Sequence, residues 1–218
     1  MTITLTTLSW VPPVAVGLVR DLRVRWALEE AGRPYQVRLL GQEEKSAPAY
    51  RQQQPFGQVP VYQEDELTLF ESGAILHHIA QSAPALMPAD AAGRAHTLTW
   101  MFAALNSVEP HTQNLASQDF FFADEEGSVP RRARLEQMAN SRLTDLNNWL
   151  RDRDYLTGQF SAADILMSTV LNMIHHTGLV ARHPALQAYH QRCTARPAYA
   201  RALAAQQATY APTPTAAG

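Results

Sequence analysis

The chain has 218 residues, 46% hydrophobic and 17% charged, with 18 Lys and Arg against 20 Asp and Glu and a formal net charge of -2. That balance gives no broad attraction for nucleic acid or an anionic membrane surface, and no apolar run approaches the ~20 residues of a membrane span. The single cysteine, Cys193, excludes an internal disulfide, and the opening MTITLTTLSW lacks the basic start and apolar run of a signal peptide, so a cytoplasmic protein is expected.

Residues 3–8 (ITLTTL) alternate as a strand does. After the loop SWVPPVAVG, a run from about Val19 to Ala31 places Leu22, Trp26 and Leu28 at helical spacing and stops at Gly32. YQVRLL (35–40) reads as a second strand and Ala47 to Gln53 as a short helix. VPVYQ and LTLF (67–70) read as a hairpin turning at Glu64-Asp65-Glu66, and a further helix is expected from near Glu71 to about Gln81. Beyond Pro84 and Pro88 the pattern becomes helical, near 90–117, 130–151, 162–180 and 184–206, with FFFADEEGSVP (120–130) as a break and APTPTAAG as a loose tail.

The order β-α-β-α-β-β-α followed by helices predicts a thioredoxin-like domain, a four-stranded mixed sheet with three helices, joined to an all-helical domain. The expected boundaries are 1–83 for the first domain, 84–89 for a linker, 90–208 for the helical domain and 209–218 for the tail. Neither His77-His78 nor His175-His176 suggests a metal site: adjacent helical residues point about 100° apart, and no Cys or acidic partner completes a ligand set.

Within this order, QPFGQVPVYQEDELTLFESGAI (54–75) resembles the glutathione-binding stretch of the cytosolic-type glutathione S-transferases. RVRWALEEAGRPY (23–35) resembles that family's first helix and its exit to the second strand, and GQFSAADI (158–165) a capping-box turn in its helical domain. The resemblance implies a cis peptide between Val59 and Pro60, with the Val59 main chain pairing with the cysteinyl unit of glutathione as an added strand. It implies that Ser72, at a helix start, binds the γ-glutamyl carboxylate, and that Glu71 takes the neighbouring ammonium group. Gln58 is a further candidate contact, and Lys45 a candidate cation for the glycyl carboxylate. Glutathione is then a co-substrate, no other cofactor is implied, and a homodimer acting in detoxification is expected.

Such enzymes must hold a thiol of ordinary pKa about 8.5 as thiolate. Family members commonly use a Tyr, Ser or Cys between the first strand and first helix, but here that segment is SWVPPVAVGLVRDLRVR (9–25). Counting forward from the strand reaches Ser9; counting back from the helix reaches Arg20. A serine would donate a hydrogen bond and an arginine would attract the anion, so both are candidate activators. The alternative is that main-chain N–H groups hold the sulfur while Arg23 and Arg25 are solvated or pair along their own helix, as Arg25 with Glu29.

The electrophile is expected between the domains, beside WMFAALNSVEPH (100–111), with Trp100 and Ala104 as apolar candidates and Asn106 and His111 as polar ones. Phe120, Phe121 and Phe122 are placed as a roof of that pocket or a contact with a partner subunit. Ser161 and Asp164 match a capping box, a structural role. The expected activity is conjugation of glutathione to an apolar electrophile. The alternatives are a non-catalytic binding module and glutathione-dependent peroxide reduction.

Overall fold

The computed structural model describes residues 2–210. Strand β1 (Ile3–Leu8) buries Ile3 and Leu5 against helix α1 (Asp21–Glu30) and pairs in parallel with β2 (Tyr35–Leu40). A short helix α2 (Pro48–Gln53) leads to β3 (Val61–Glu64), which runs antiparallel to β1 and turns through Asp65 into β4 (Leu67–Leu69). The sheet order is β2-β1-β3-β4, and helix α3 (Ser72–Gln81) closes this thioredoxin-like domain.

The helical domain comprises α4 (Ala91–Phe102), a π-helical turn (Ala103–Val108), α5 (Glu109–Phe121), α6 (Ser128–Leu150), α7 (Ala162–Asn172), α8 (Pro184–Thr194) and α9 (Pro197–Tyr210). One core runs through both domains, from Leu5, Trp26 and Ile75 to Met101, Leu166 and Tyr189. Helix α1 is buried from Asp21 to Leu28 because the sheet lies on one side and α7 and α9 on the other.

Several boundaries differ from the sequence reading. The first helix begins at Asp21, and the stretch expected over 162–180 ends at Asn172 and continues as two single turns. The stretch 184–206 is two helices, since Pro197 lacks an N–H and starts a new helix where it would interrupt an old one. Phe120 and Phe121 close α5. Of the expected tail, residues 209 and 210 belong to α9 and 211–218 lie outside the described residues.

The expected capping box is formed at α7, where Asp164 accepts from the Ser161 N–H at 2.9 Å and the Ser161 hydroxyl at 3.0 Å. Its second oxygen accepts from the Leu156 N–H at 3.0 Å, so one buried carboxylate ties the preceding loop to the helix start. The histidine pairs diverge: His78 contacts Glu64, and His176 contacts Asp119. Among the described residues no group of three His, Cys, Asp or Glu is arranged to hold a metal, and no helix is long and apolar enough to cross a membrane.

Candidate functional site

The loop from Gln54 to Pro60 descends from α2 into β3. Its turn requires glycine at position 57: φ is +63°, and a Cβ there would lie 2.8 Å from the Lys45 carbonyl and 2.7 Å from Arg51 Cζ. The Tyr50 hydroxyl donates to the Gln58 carbonyl at 2.5 Å, fixing the loop just before Val59. The Val59–Pro60 peptide is cis. Among the described residues, neither the N–H nor the carbonyl of Val59 has a hydrogen-bond partner.

Across from this free edge, α3 starts at Ser72. Glu71 precedes it with φ +68° and ψ 112°, a conformation that costs a non-glycine residue on the order of 1–3 kcal/mol. The first main-chain bond of α3 joins Ile75 N–H to Glu71 O, which leaves the N–H groups of Ser72, Gly73 and Ala74 at the open helix end.

Beneath Ser72 lies a charged network that joins the domains. Arg23 of α1, 2% exposed, donates to Ser72 Oγ at 3.1 Å and to both oxygens of Glu109 at 3.0 and 3.2 Å. Its Nε donates to Thr169 of α7. Arg20 donates to Glu109 at 2.9 Å and to Gln113 at 2.7 Å. Because Ser72 Oγ already accepts from Arg23, its own O–H remains available to donate. Burial pushes the Arg23 guanidinium below its ordinary pKa; burial would raise Glu109, but the charges of Arg23 and Arg20 override it and hold the carboxyl below its ordinary value.

Two cavities meet at this point. The larger, about 940 Å³, runs from Gln58, Val59 and Pro60 past Glu71 and Ser72 to Leu98, Met101, Phe102 and Leu105. The smaller, about 270 Å³, is lined by Leu8, Leu18, Val19, Lys45 and Met173. Arg20, Gln58, Val59 and Gln113 border both. Five of the six residues expected to grip glutathione line the larger cavity, and Lys45 lines the smaller one beside it.

The candidate activators separate. Arg20 stands between the cavities with Nη1 unpartnered among the described residues, whereas Ser9 is exposed, lines neither cavity and bonds through its N–H to Leu40 O. Neither Arg23 nor Arg25 is solvated: Arg25 pairs along its own helix, as anticipated, but with Asp21 at 2.7 Å in place of Glu29, which goes to Arg201, and Arg23 pairs with Glu109 of α5. Of the expected electrophile pocket, only Asn106 lines the large cavity. Trp100 stacks on Trp149 at 5.1 Å, Ala104 is buried in the core, and His111 faces elsewhere on α5. Leu98, Met101, Phe102 and Leu105 line the cavity at the spacing of one helical face, and Trp100 and Ala104 lie on a neighbouring face of the same stretch. The Phe120–Phe122 run does not roof the recess, and Phe120 packs on His176 at 4.4 Å.

Residues 14–81 match the model of the glutathione S-transferase N-terminal domain, and residues 108–197 that of the C-terminal domain. The chain belongs to the glutathione S-transferase family. It is 32% identical over 146 residues to the disulfide-bond oxidoreductase YfcG of Escherichia coli, a match covering 64% of this chain and 65% of that protein. The chain thus spans just under two thirds of that relative's length. It is 27% identical over 196 residues to glutathione S-transferase 4 of Zea mays, covering 81% of this chain and 83% of the other. Among solved structures, a glutathione transferase of Burkholderia graminis with two glutathione molecules bound per subunit superposes with a TM-score of 0.80 at 28% identity, over 93% of this chain and 87% of that one.

Arg23 and Glu109 line the larger cavity, and their pairing is what sequence reasoning missed. The available signal was three arginines at the start of a helix, an arrangement opposed by the helix dipole and therefore in need of a partner from elsewhere.

Proposed function

We propose that this transferase-family chain binds glutathione and transfers its sulfur to an electrophilic carbon. The observation that carries this reading is the unpartnered main chain of Val59 beside the Glu71–Ser72 helix start, both opening into one cavity. Val59 offers a donor and an acceptor to the cysteinyl unit, as an edge strand would. Ser72, its oxygen occupied by Arg23, offers its proton to the γ-glutamyl carboxylate, Glu71 balances the adjacent ammonium, and Lys45 faces the glycyl carboxylate.

On this reading Arg20 lowers the pKa of the bound thiol by charge attraction. The thiol proton leaves to solvent, the thiolate forms a bond to carbon, and the electrophile's leaving group departs with its electron pair. An apolar electrophile is favoured by Leu98, Met101, Phe102 and Leu105 on one side and Leu8, Leu18 and Met173 on the other. Calorimetry with glutathione, followed by turnover of an aromatic halide, tests the proposal; absence of glutathione binding would refute it. Arg20→Ala is expected to raise the pKa read from the pH profile of kcat/KM by about one unit or more, and Ser9→Ala to leave it in place. A homodimer is part of this reading, and light scattering on the purified protein tests it.

A second reading has its own support in the similarity to a disulfide-bond oxidoreductase. Burial pushes the Cys193 thiol up to about 12, so the protein supplies no thiolate of its own. Disulfide reduction would then run through bound glutathione, whose thiolate attacks one sulfur of the disulfide and releases the other as thiolate. Comparing turnover of a small disulfide with that of the aromatic halide separates the two readings.

A further inference from the structure

The segment that places Arg20 is held from the far end of the chain. Between Trp10 and Asp21 the main chain makes local turn bonds, Ala15 to Pro12, Val16 to Pro13 and Leu18 to Ala15. Among the described residues only two side chains from outside reach its backbone: Gln42, at 3.4 Å from Trp10 O, and Gln206 of α9. Gln206 is fully buried. Its Oε1 accepts from the Gly17 N–H at 3.0 Å, and its Nε2 donates to Val19 O at 3.1 Å and to Asp21 Oδ1 at 2.5 Å. Gly17 has φ +84°, with Leu203 of the same helix 3.4 Å from where a Cβ would stand.

We propose that Gln206 is a positioning residue for sulfur activation: it fixes the backbone of residues 17–21 and thereby the place of Arg20 beside Val59. The inference rests on the assignment of Arg20 as the activator. A neutral primary amide accepts from one N–H while donating to two oxygens, which neither a carboxylate nor an ammonium group does. An apolar residue would fill the same space without fixing the loop. Asp21, the third partner, is itself buried and paired with Arg25, so the anchor is rigid on its far side as well. Gln206 lines neither cavity and lies behind the segment, while the grip at Val59, Glu71 and Ser72 is built from other elements. Binding and activation therefore separate. The charged groups facing Arg20 and the recess are Arg23, Lys45, Glu71, His77 and Glu109, and none of them contacts Gln206.

Gln206→Met removes all three bonds at nearly constant volume. Thr209→Val, the control, removes the neighbouring α9 bond to Arg25, and Thr209 makes no hydrogen bond to 17–21 among the described residues. Calorimetry measures glutathione affinity, and the ultraviolet absorbance of the thiolate, followed against pH, gives the ionisation midpoint of the bound thiol. Gln206→Met is expected to leave affinity within about threefold and to raise the midpoint by about one unit, equivalent to about tenfold less thiolate at any pH below it. The loss should appear in kcat with KM for glutathione held. Thr209→Val should move neither. If Gln206→Met does not fold, Gln206→Leu replaces it, since its side chain likewise neither donates nor accepts; the same rise is expected. An unchanged midpoint in a folded variant, or an equal shift in Thr209→Val, overturns the proposal. Failure of the unmodified protein to bind glutathione is a different result, which removes the proposed function and this role together.

Discussion

Glu109→Ala is expected to destabilise the fold by about 3–5 kcal/mol, because it leaves the buried Arg23 guanidinium without its counter-charge. The pH dependence should identify the cause. Glu109 is held below its ordinary value of 4.5, so its contribution is present above that pH and is lost as pH falls through the lower, folded value. Urea midpoints measured across the acid range should therefore fall steeply in the unmodified protein and less steeply in Glu109→Ala; equal slopes would contradict this account. Replacing both partners, Arg23→Met with Glu109→Leu, should recover most of the stability, since a well-packed apolar pair often matches a buried ion pair. The double variant should still bind glutathione more weakly, by about 1 kcal/mol, because the Ser72 oxygen loses the donor that orients its proton.

Asp164→Ala is the second large effect. The capping box loses its Asp164–Ser161 N–H bond, about 0.5–2 kcal/mol, and the buried Leu156 N–H loses its partner, about 1–3 kcal/mol. At roughly 2–4 °C per kcal/mol for a chain of this length, a loss of about 3 kcal/mol lowers the melting temperature by roughly 10 °C. Glutathione affinity of the folded protein should be unchanged, because Asp164 borders neither cavity. Burial pushes this carboxyl up from 3.8 to about 6, so the folded state holds its proton more tightly than the unfolded chain. Its contribution is complete below about pH 4 and declines as pH rises to about 6, opposite in sign to that of Glu109. Asp164→Asn, which carries no titrating proton, should lack that decline.

What was legible in the sequence was mostly local. PFGQVPV, the Glu71-Ser72 helix start and Ser161-x-x-Asp164 each place their groups within a few residues, where chain geometry alone determines the outcome. Arg23 and Glu109 are 86 positions apart and Gly17 and Gln206 are 189 apart, and no periodicity connects such pairs. Arg25 shows the same limit on a smaller scale. Asp21 and Glu29 are equally placed for it along the helix, and the choice is made by Arg201 of α9, which takes Glu29. The electrophile wall was misread because apolar side chains occupy two faces of α4: Trp100 packs on Trp149 while Leu98, Met101 and Phe102 face the cleft, and hydrophobic spacing alone does not choose between them.

The anchoring of residues 17–21 by Gln206 also has a meaning in the order of synthesis. The segment that carries Arg20 is synthesised before the side chain that fixes it, which follows 189 positions after Gly17. Until α9 has been made, residues 17–21 therefore lack the bonds that Gln206 gives them. On the proposed reading, the final placing of Arg20 and the reactivity that depends on it wait for the synthesis of α9.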